Sequence, residues 1–239
     1  MAIHRYYQLD HSLSIQEFWG KLLVREHRLG TLVSKFFYNL LWIPLKAILS
    51  FFFRIEVESQ ENLSEIEGPV IIASNHASWT DSFIIGVCFP FNAKVFPIRY
   101  AVWWKYYYFV PFTFLLWLLG NFPVRKGVGL ERALAVGLEK LKQGEAIGIF
   151  PTGKRERTFF KEPAKPKRGV AYLSAKTKTS VIPVKIEGNL GMKFTGFLLR
   201  KYRIKVKIGK RFNVPSKNPD DQEQLVKSSN LVMNKIAAL

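Results

Sequence analysis

Cysteine is nearly absent from this chain. One thiol, Cys88, among 239 residues excludes an intramolecular disulfide and any cysteine-based metal site, and fits a reducing compartment. Histidine is also sparse, with four residues and no His-x-x-x-His spacing, so no metal is expected. Acidic residues are few: 18 Asp and Glu stand against 36 Lys and Arg, a formal net charge of +18. A surface this basic seeks a polyanion, which leaves nucleic acid, an anionic membrane, or an acidic substrate or partner. The opening residues, Met1 to Asp10, lack an apolar core followed by a small-residue cleavage site, so no secretory signal peptide is expected. There is no internal repeat and no long low-complexity linker. The length favours one domain, residues 54–239, behind an N-terminal appendage, residues 1–53.

Apolar blocks choose among the polyanions. Phe36 to Phe53 reads FFYNLLWIPLKAILSFFF, with Lys46 its one charge; as a helix it reaches about 27 Å, just short of the roughly 30 Å hydrocarbon core. Lys35, Asn39, Lys46 and Ser50 fall within about 60° of one another on a helical wheel. This narrow polar stripe fits a helix lying in the membrane interface, kinked at Pro44. Ile15 to Thr31 reads as a first, more polar amphipathic helix, with Glu17, Lys21, Arg25, Glu26 and Arg28 among its apolar residues. The expectation is a two-helix arm docked on an anionic membrane, with a single transmembrane anchor as the alternative. A second aromatic block, Val102 to Leu119, holds Lys105 and Pro111, which argue against a spanning helix. It reads as helical structure packed on a sheet, with exposed aromatics facing lipid.

The remaining chain alternates strand and helix signals. Arg54–Glu58 alternates with period two, Val70–Ser74 is a buried-strand run and Lys94–Ile98 is short and mixed. Val128–Gln143 has helical periodicity with Gly144 just past its end. Ala146–Phe150 is a strand, Arg168–Thr177 a helix, Val181–Glu187 and Tyr202–Ile208 strands, and Asp220–Leu239 a closing helix. This order predicts an α/β domain with a largely parallel or mixed sheet flanked by helices.

Chemistry concentrates just after the buried-strand run, where Asn75-His76-Ala77-Ser78-Trp79-Thr80-Asp81 sets a histidine and a carboxylate five residues apart. Five residues are about 500° of α-helix, so the pair cannot share a straight helix face. His76 therefore belongs in the turn before a helix, with Asp81 folded back from its first turn. An imidazole oriented by a carboxylate is a general base for a hydroxyl near neutral pH. Ser78-x-x-Asp81 is equally a helix-start signal, which leaves a capping role for Asp81 open.

Gly68-Pro69-Val70-Ile71-Ile72-Ala73-Ser74-Asn75-His76-x-x-x-x-Asp81 resembles the first motif of the glycerolipid acyltransferases of the 1-acyl-sn-glycerol-3-phosphate acyltransferase type. Phe150-Pro151-Thr152-Gly153-Lys154-Arg155 resembles the family's Phe-Pro-Glu-Gly-Thr-Arg block, and Val181-Ile182-Pro183-Val184 its proline-containing apolar block. Asn121-Phe122-Pro123-Val124-Arg125 is a weaker match to a block ending in arginine. The resemblance spans residues 54 to 213. It implies acyl transfer from an acyl-CoA or acyl carrier protein thioester to the hydroxyl of a lysophospholipid at the cytoplasmic face of a membrane, with the thioester as co-substrate and no cofactor.

On that resemblance His76 is the base and Asp81 its orienting acid, with oxyanion donors near the Asn75 turn. Arg155 falls on the family's substrate-phosphate arginine; Arg125 is a second candidate, and Asn75, Gly153, Lys154, Lys167 and Arg168 complete the expected substrate site. The chain departs from the family at Thr152, which supplies no carboxylate where the motif has glutamate, and that puts the acceptor in doubt. Glu156, four residues on, is not assigned the lost role. Ser78 as an acyl-enzyme nucleophile ranks below the direct mechanism. Two other classes stay open. A nucleic-acid binder would interleave its basic and aromatic residues, which the long aromatic blocks do not; a non-catalytic lipid-binding relative would keep the fold while Thr152 marks decay of the site.

Overall fold

The computed structural model describes residues 28–63, 66–91, 93, 95–109, 112–156, 165–215 and 218–239. Its centre is strand β2 (Val70–Ser74), buried at all five positions. Successive strand residues face opposite ways, so Val70 and Ile72 enter one core while Ile71 and Ala73 enter another. A run that is apolar from Val70 to Ala73 and buried through Ser74 is what a sheet covered on both faces requires.

Around it lie β1 (Ile55–Glu58), β3 (Ile98–Trp103), β4 (Phe122–Val124), β5 (Ala146–Ile149), β6 (Val181–Glu187) and β7 (Ile204–Ile208). The sheet order is β1-β7-β6-β2-β5-β3-β4. All neighbouring pairs are parallel except β6 and β7, so the sheet is mixed, as expected. β7 shows the alternation its sequence carries: Ile204, Val206 and Ile208 are buried, while Lys205 and Lys207 reach Glu58 and Glu187.

One face is covered by the long helix α1 (Arg28–Phe53), α2 (Asp81–Cys88) and the short α7 (Phe194–Leu198). The other is covered by α5 (Leu130–Lys142), α6 (Gly169–Thr177) and α8 (Gln222–Ala237). α5 stops where Gly144 takes a left-handed φ of 83°. The N–H groups of Gly144 and Glu145 return to the Leu141 and Lys140 carbonyls, a Schellman closure that only glycine reaches without strain.

Two expectations change. Val102 and Trp103 close strand β3, and the second aromatic block continues as two short helices, α3 (Trp104–Tyr107) and α4 (Phe112–Leu118). The expected strand Lys94–Ile98 instead begins at Ile98 and runs to Trp103, with Ile98, Arg99 and Tyr100 all buried. Of the expected first amphipathic helix, residues 15–27 lie outside the described residues, as do Met1–Asp10 and Pro111. Arg28 to Thr31 form the first turn of α1, which runs unbroken past Pro44.

By length and composition Thr31–Phe53 suffices to cross a membrane. Yet α1 lies along the domain. Thr31 Oγ1 donates to Glu145 Oε1 (3.1 Å) and accepts from Arg99 (3.2 Å) at one end. Arg200 Nε donates to the Phe51 carbonyl (2.9 Å) at the other. Between them Tyr38, Trp42, Leu45 and Leu49 pack on the core, whereas Leu32, Phe36, Leu40, Ile43 and Phe51 are exposed on the far side. The Lys35, Asn39, Lys46, Ser50 stripe runs along the border between these two faces.

The N-terminal end of α1 rests on a buried ionic cluster the sequence did not announce. Arg99 is fully buried and pairs with Glu145, while its Nη1 donates to the Gly120 carbonyl (3.1 Å). Lys140, also buried, stands 3.8 Å from the same carboxylate. Removing one member of such a cluster strands charge in low dielectric. Glu145→Ala should therefore cost roughly 3–5 kcal/mol, read as a lowered denaturation midpoint; a loss under about 1 kcal/mol would contradict the cluster's structural role.

Candidate active site

In open α/β sheets ligands bind outside the carboxyl ends of the strands, and there the chain turns from β2 into α2. Asn75 fixes the turn. Its amide Nδ2 donates to the Ile186 carbonyl and its Oδ1 accepts from the Ile186 N–H, both at 2.8 Å. Both ends of this side chain are thus spent on strand β6.

Asp81, the first residue of α2, is completely buried. Its Oδ2 lies 2.8 Å from His76 Nδ1 and accepts from the Ala77 and Ser78 N–H groups at 2.8 and 2.9 Å. Its Oδ1 accepts from Asn189 Nδ2 at 2.8 Å. One oxygen of Asp81 thus holds the imidazole and the turn's N–H groups together, while the helix N-cap is Thr80, which makes no side-chain cap hydrogen bond, so Asp81 does not cap the helix. A carboxylate accepting from Nδ1–H leaves Nε2 as the basic nitrogen. The ring stacks on Phe150 at 3.9 Å and 12°, which sets its plane.

The turn's N–H groups at Ala77 and Ser78, expected among the oxyanion donors, are engaged by Asp81. Ser78 Oγ lies 3.0 Å from Thr80 Oγ1 and accepts from the Thr80 N–H, a local pairing rather than a nucleophile's contact with His76.

His76 opens on a cavity of about 2320 Å³. It is lined by apolar residues of α1, among them Leu41, Trp42 and Leu45, with Phe83 of α2. Arg125, Lys126, Lys154, Arg155, Lys167 and Arg168 line it as well. The structure thus brings together with His76 every cationic residue predicted for the substrate site. Gly153 lines the cavity too, with φ at 63°; this left-handed turn aims Lys154 and Arg155 away from β5. Arg155 lies 4.2 Å over the Trp79 ring and Arg125 5.5 Å over Trp104, so flat aromatic faces orient both guanidinium groups. Arg168 is held by Gln222. Lys126, unmarked in the sequence reading, donates to the Gly153 carbonyl (3.1 Å) and joins the two basic segments.

Thr152 sits apart from the cavity lining. It is buried, and its hydroxyl donates to the Lys154 carbonyl (2.8 Å), so threonine here braces the turn. The nearby carboxylate is Glu156, whose N–H donates to the His76 carbonyl (2.7 Å) and which lines the cavity. Burial pushes its carboxyl above the ordinary value near 4.5, His76 partly offsets this, and Asp81 adds to it. Asn189 was equally invisible in sequence, being 108 positions from the carboxylate it serves. Among the described residues no three His, Cys, Asp or Glu side chains form a metal-binding group.

A carboxylate whose pKa is higher folded than unfolded disfavours the native state once it ionises, so its contribution is intact below about 4.5 and lost as pH rises through the raised value. Glu156→Gln should accordingly raise the denaturation midpoint at pH 7, with the gain vanishing toward pH 4. An equal gain at both pH values would contradict this.

The chain is similar to known acyltransferases. Residues 54–187, more than half of the chain, match the Acyltransferase family. A 1-acyl-sn-glycerol-3-phosphate acyltransferase of Bacillus subtilis is 28% identical over 165 residues, 69% of this chain and 77% of that protein. The protein of the same name from Saccharomyces cerevisiae is 27% identical over 68% of this chain and 50% of its own length. A chloroplastic relative in Arabidopsis thaliana, LPAT1, is 26% identical over 57% of this chain and 37% of its own. The fold is shared with the crystal structure of the 1-acyl-sn-glycerophosphate acyltransferase PlsC from Thermotoga maritima: TM-score 0.55 and 21% identity, covering 99% of this chain and 87% of that one. The family match contains the central strand, the His76–Asp81 pair and the Gly153–Arg155 turn, and the chain belongs to the Acyltransferase family.

Proposed function

We propose that this chain is a membrane-associated acyltransferase that moves a fatty acyl group from a thioester to the free hydroxyl of 1-acyl-glycerol-3-phosphate, giving phosphatidic acid. The observation that carries the reading is the buried Asp81 holding His76 at the wall of a cavity whose lining combines apolar residues with a group of cationic ones. An acylated glycerol phosphate has the matching chemistry. The names of the relatives in Bacillus subtilis and Saccharomyces cerevisiae support the same acceptor.

In the reaction, His76 Nε2 takes the proton of the acceptor hydroxyl as its oxygen attacks the thioester carbonyl carbon. The carbon–sulfur bond then breaks, and the leaving thiolate recovers the proton from the imidazolium, which Asp81 stabilises meanwhile. Arg155 and Arg125 hold the phosphate so that the hydroxyl faces His76. The donor is acyl-CoA or acyl carrier protein, both of which bring an anionic phosphopantetheine to the cationic lining.

The test is acyl transfer by purified protein in mixed micelles, with labelled acyl-CoA and acyl carrier protein thioesters offered against lysophosphatidic acid and other lysolipids. His76→Ala should lose about 10²–10⁴-fold or more in kcat, and Arg155→Ala should mainly raise the acceptor KM. Full activity in His76→Ala overturns the mechanism. Turnover with another lysolipid alone moves the acceptor, the outcome favoured if Thr152, which stands where the resembling motif has glutamate, has changed the headgroup contact. No turnover with any pair leaves a lipid-binding relative.

We also infer that α1 lies in the interface of an anionic membrane at the cytoplasmic face rather than spanning it. Contacts at both of its ends and along its length support this, since a helix pinned to one domain from Thr31 to Phe51 cannot cross a bilayer away from that domain. Removing residues 1–53 would also take Leu49 and Phe53 out of the core, so point changes are the cleaner test. Phe36→Asp combined with Leu40→Asp should weaken partition into anionic vesicles at least about tenfold; unchanged partition would contradict the inference.

A further inference from the structure

We propose that residues 190–201, between β6 and β7, form a second membrane contact, sequence-distant from α1, which together with the outer face of that helix seats the molecule on an anionic bilayer. This deepens the interface reading given above and rests on it.

Leu190, Leu198 and Leu199 are 48%, 52% and 64% exposed, an apolar cluster with nothing from the described residues covering it. Its position is fixed relative to α1. Arg200 Nε donates to the Phe51 carbonyl, and the guanidinium lies 4.1 Å over the Phe51 ring. Phe197 packs at 4.3 Å on Phe52 and 5.1 Å on Phe53. Leu190 and Ile48 of α1 both line the cavity that holds His76, so the segment reaches that opening at Leu190. Of the large apolar side chains exposed among the described residues, only Val226 lies on the α5–α6–α8 layer. The rest occupy α1, the segments around the cavity mouth and this cluster.

Charge selects the occupant. Lys193, Arg200 and Lys201 are exposed beside the three leucines, and long cationic side chains around an apolar patch suit lipid, with stems along the acyl region and charges at the phosphates. A second copy of a chain of net charge +18 would set like charge against like, which disfavours self-association at this patch. An anionic bilayer meets both the apolar and the cationic requirement.

The test uses the full chain and sedimentation with vesicles of phosphatidylcholine, with and without phosphatidylglycerol. Leu198→Asp combined with Leu199→Asp should weaken partition onto the anionic vesicles at least about tenfold, with thermal unfolding unchanged. In parallel, Leu199→Cys carrying an environment-sensitive dye, feasible because Cys88 is buried, should shift to the blue on adding those vesicles. Unchanged partition and no dye shift, alongside weakened binding by Phe36→Asp with Leu40→Asp, overturn the second contact while leaving the α1 reading intact. A wild-type chain that binds no vesicle overturns both. A wild-type dimer that the Leu198 and Leu199 changes convert to monomer, with vesicle binding unaffected, assigns the patch to a copy of the chain and also overturns the proposal.

Discussion

The arrangement of the site depends on one buried carboxylate. Asp81 has no exposure to solvent, and an ion in that position is tolerated only when donors surround it. Four do: His76 Nδ1, the N–H groups of Ala77 and Ser78, and Asn189 Nδ2. Three come from the turn between β2 and α2, and the fourth follows β6, the neighbouring strand. Asn75 binds the same two segments from the other direction through Ile186. The result is a histidine whose orientation is imposed by the helix entry beneath it, with the Phe150 ring as a floor. Few small displacements would rotate the imidazole without also uncovering the Asp81 charge.

α1 works on two sides at once. Tyr38, Trp42 and Leu45 join the core and the wall of the cavity and Leu49 the core alone, while the opposite arc presents leucine, isoleucine and phenylalanine outward. The apolar wall of the cavity and the exposed apolar arc thus lie on opposite faces of one helix. The cationic lining draws its residues from three separate stretches: Lys126 ties the Arg125 stretch to Gly153, and the Lys167 N–H, donating to the Pro151 carbonyl, ties the Arg168 stretch to the same turn.

Much of this was legible in the sequence because it is local. The Val70–Ala73 apolar run, the five-residue separation of His76 and Asp81, and Gly144 after α5 are each readable within one short segment, although β2 takes its pairing from the distant β5 and β6. The motif resemblance added the residues around Gly153 and Arg155, which the cavity indeed gathers beside His76. Asn189 and the Arg99–Glu145–Lys140 cluster were illegible for the opposite reason: each becomes meaningful only when strands far apart in sequence are brought side by side. Asn75 shows a related limit. A polar residue next to a catalytic histidine resembles a substrate contact, and only the register of β2 on β6 reveals both ends of its amide bound to Ile186. The polar stripe of α1 was visible, but which side of it faces protein was decided by packing against α2 and the sheet.

The central claim is that Asp81 holds His76 with the proton on Nδ1 and the basic lone pair on Nε2. Nitrogen-15 NMR of the His76 ring, assigned by its loss in His76→Ala and followed through pH, tests this most directly. The account predicts the Nδ1–H tautomer in the neutral enzyme. A neutral ring carrying its proton on Nε2 would contradict the account, because the nitrogen meant to accept the hydroxyl proton would already be occupied.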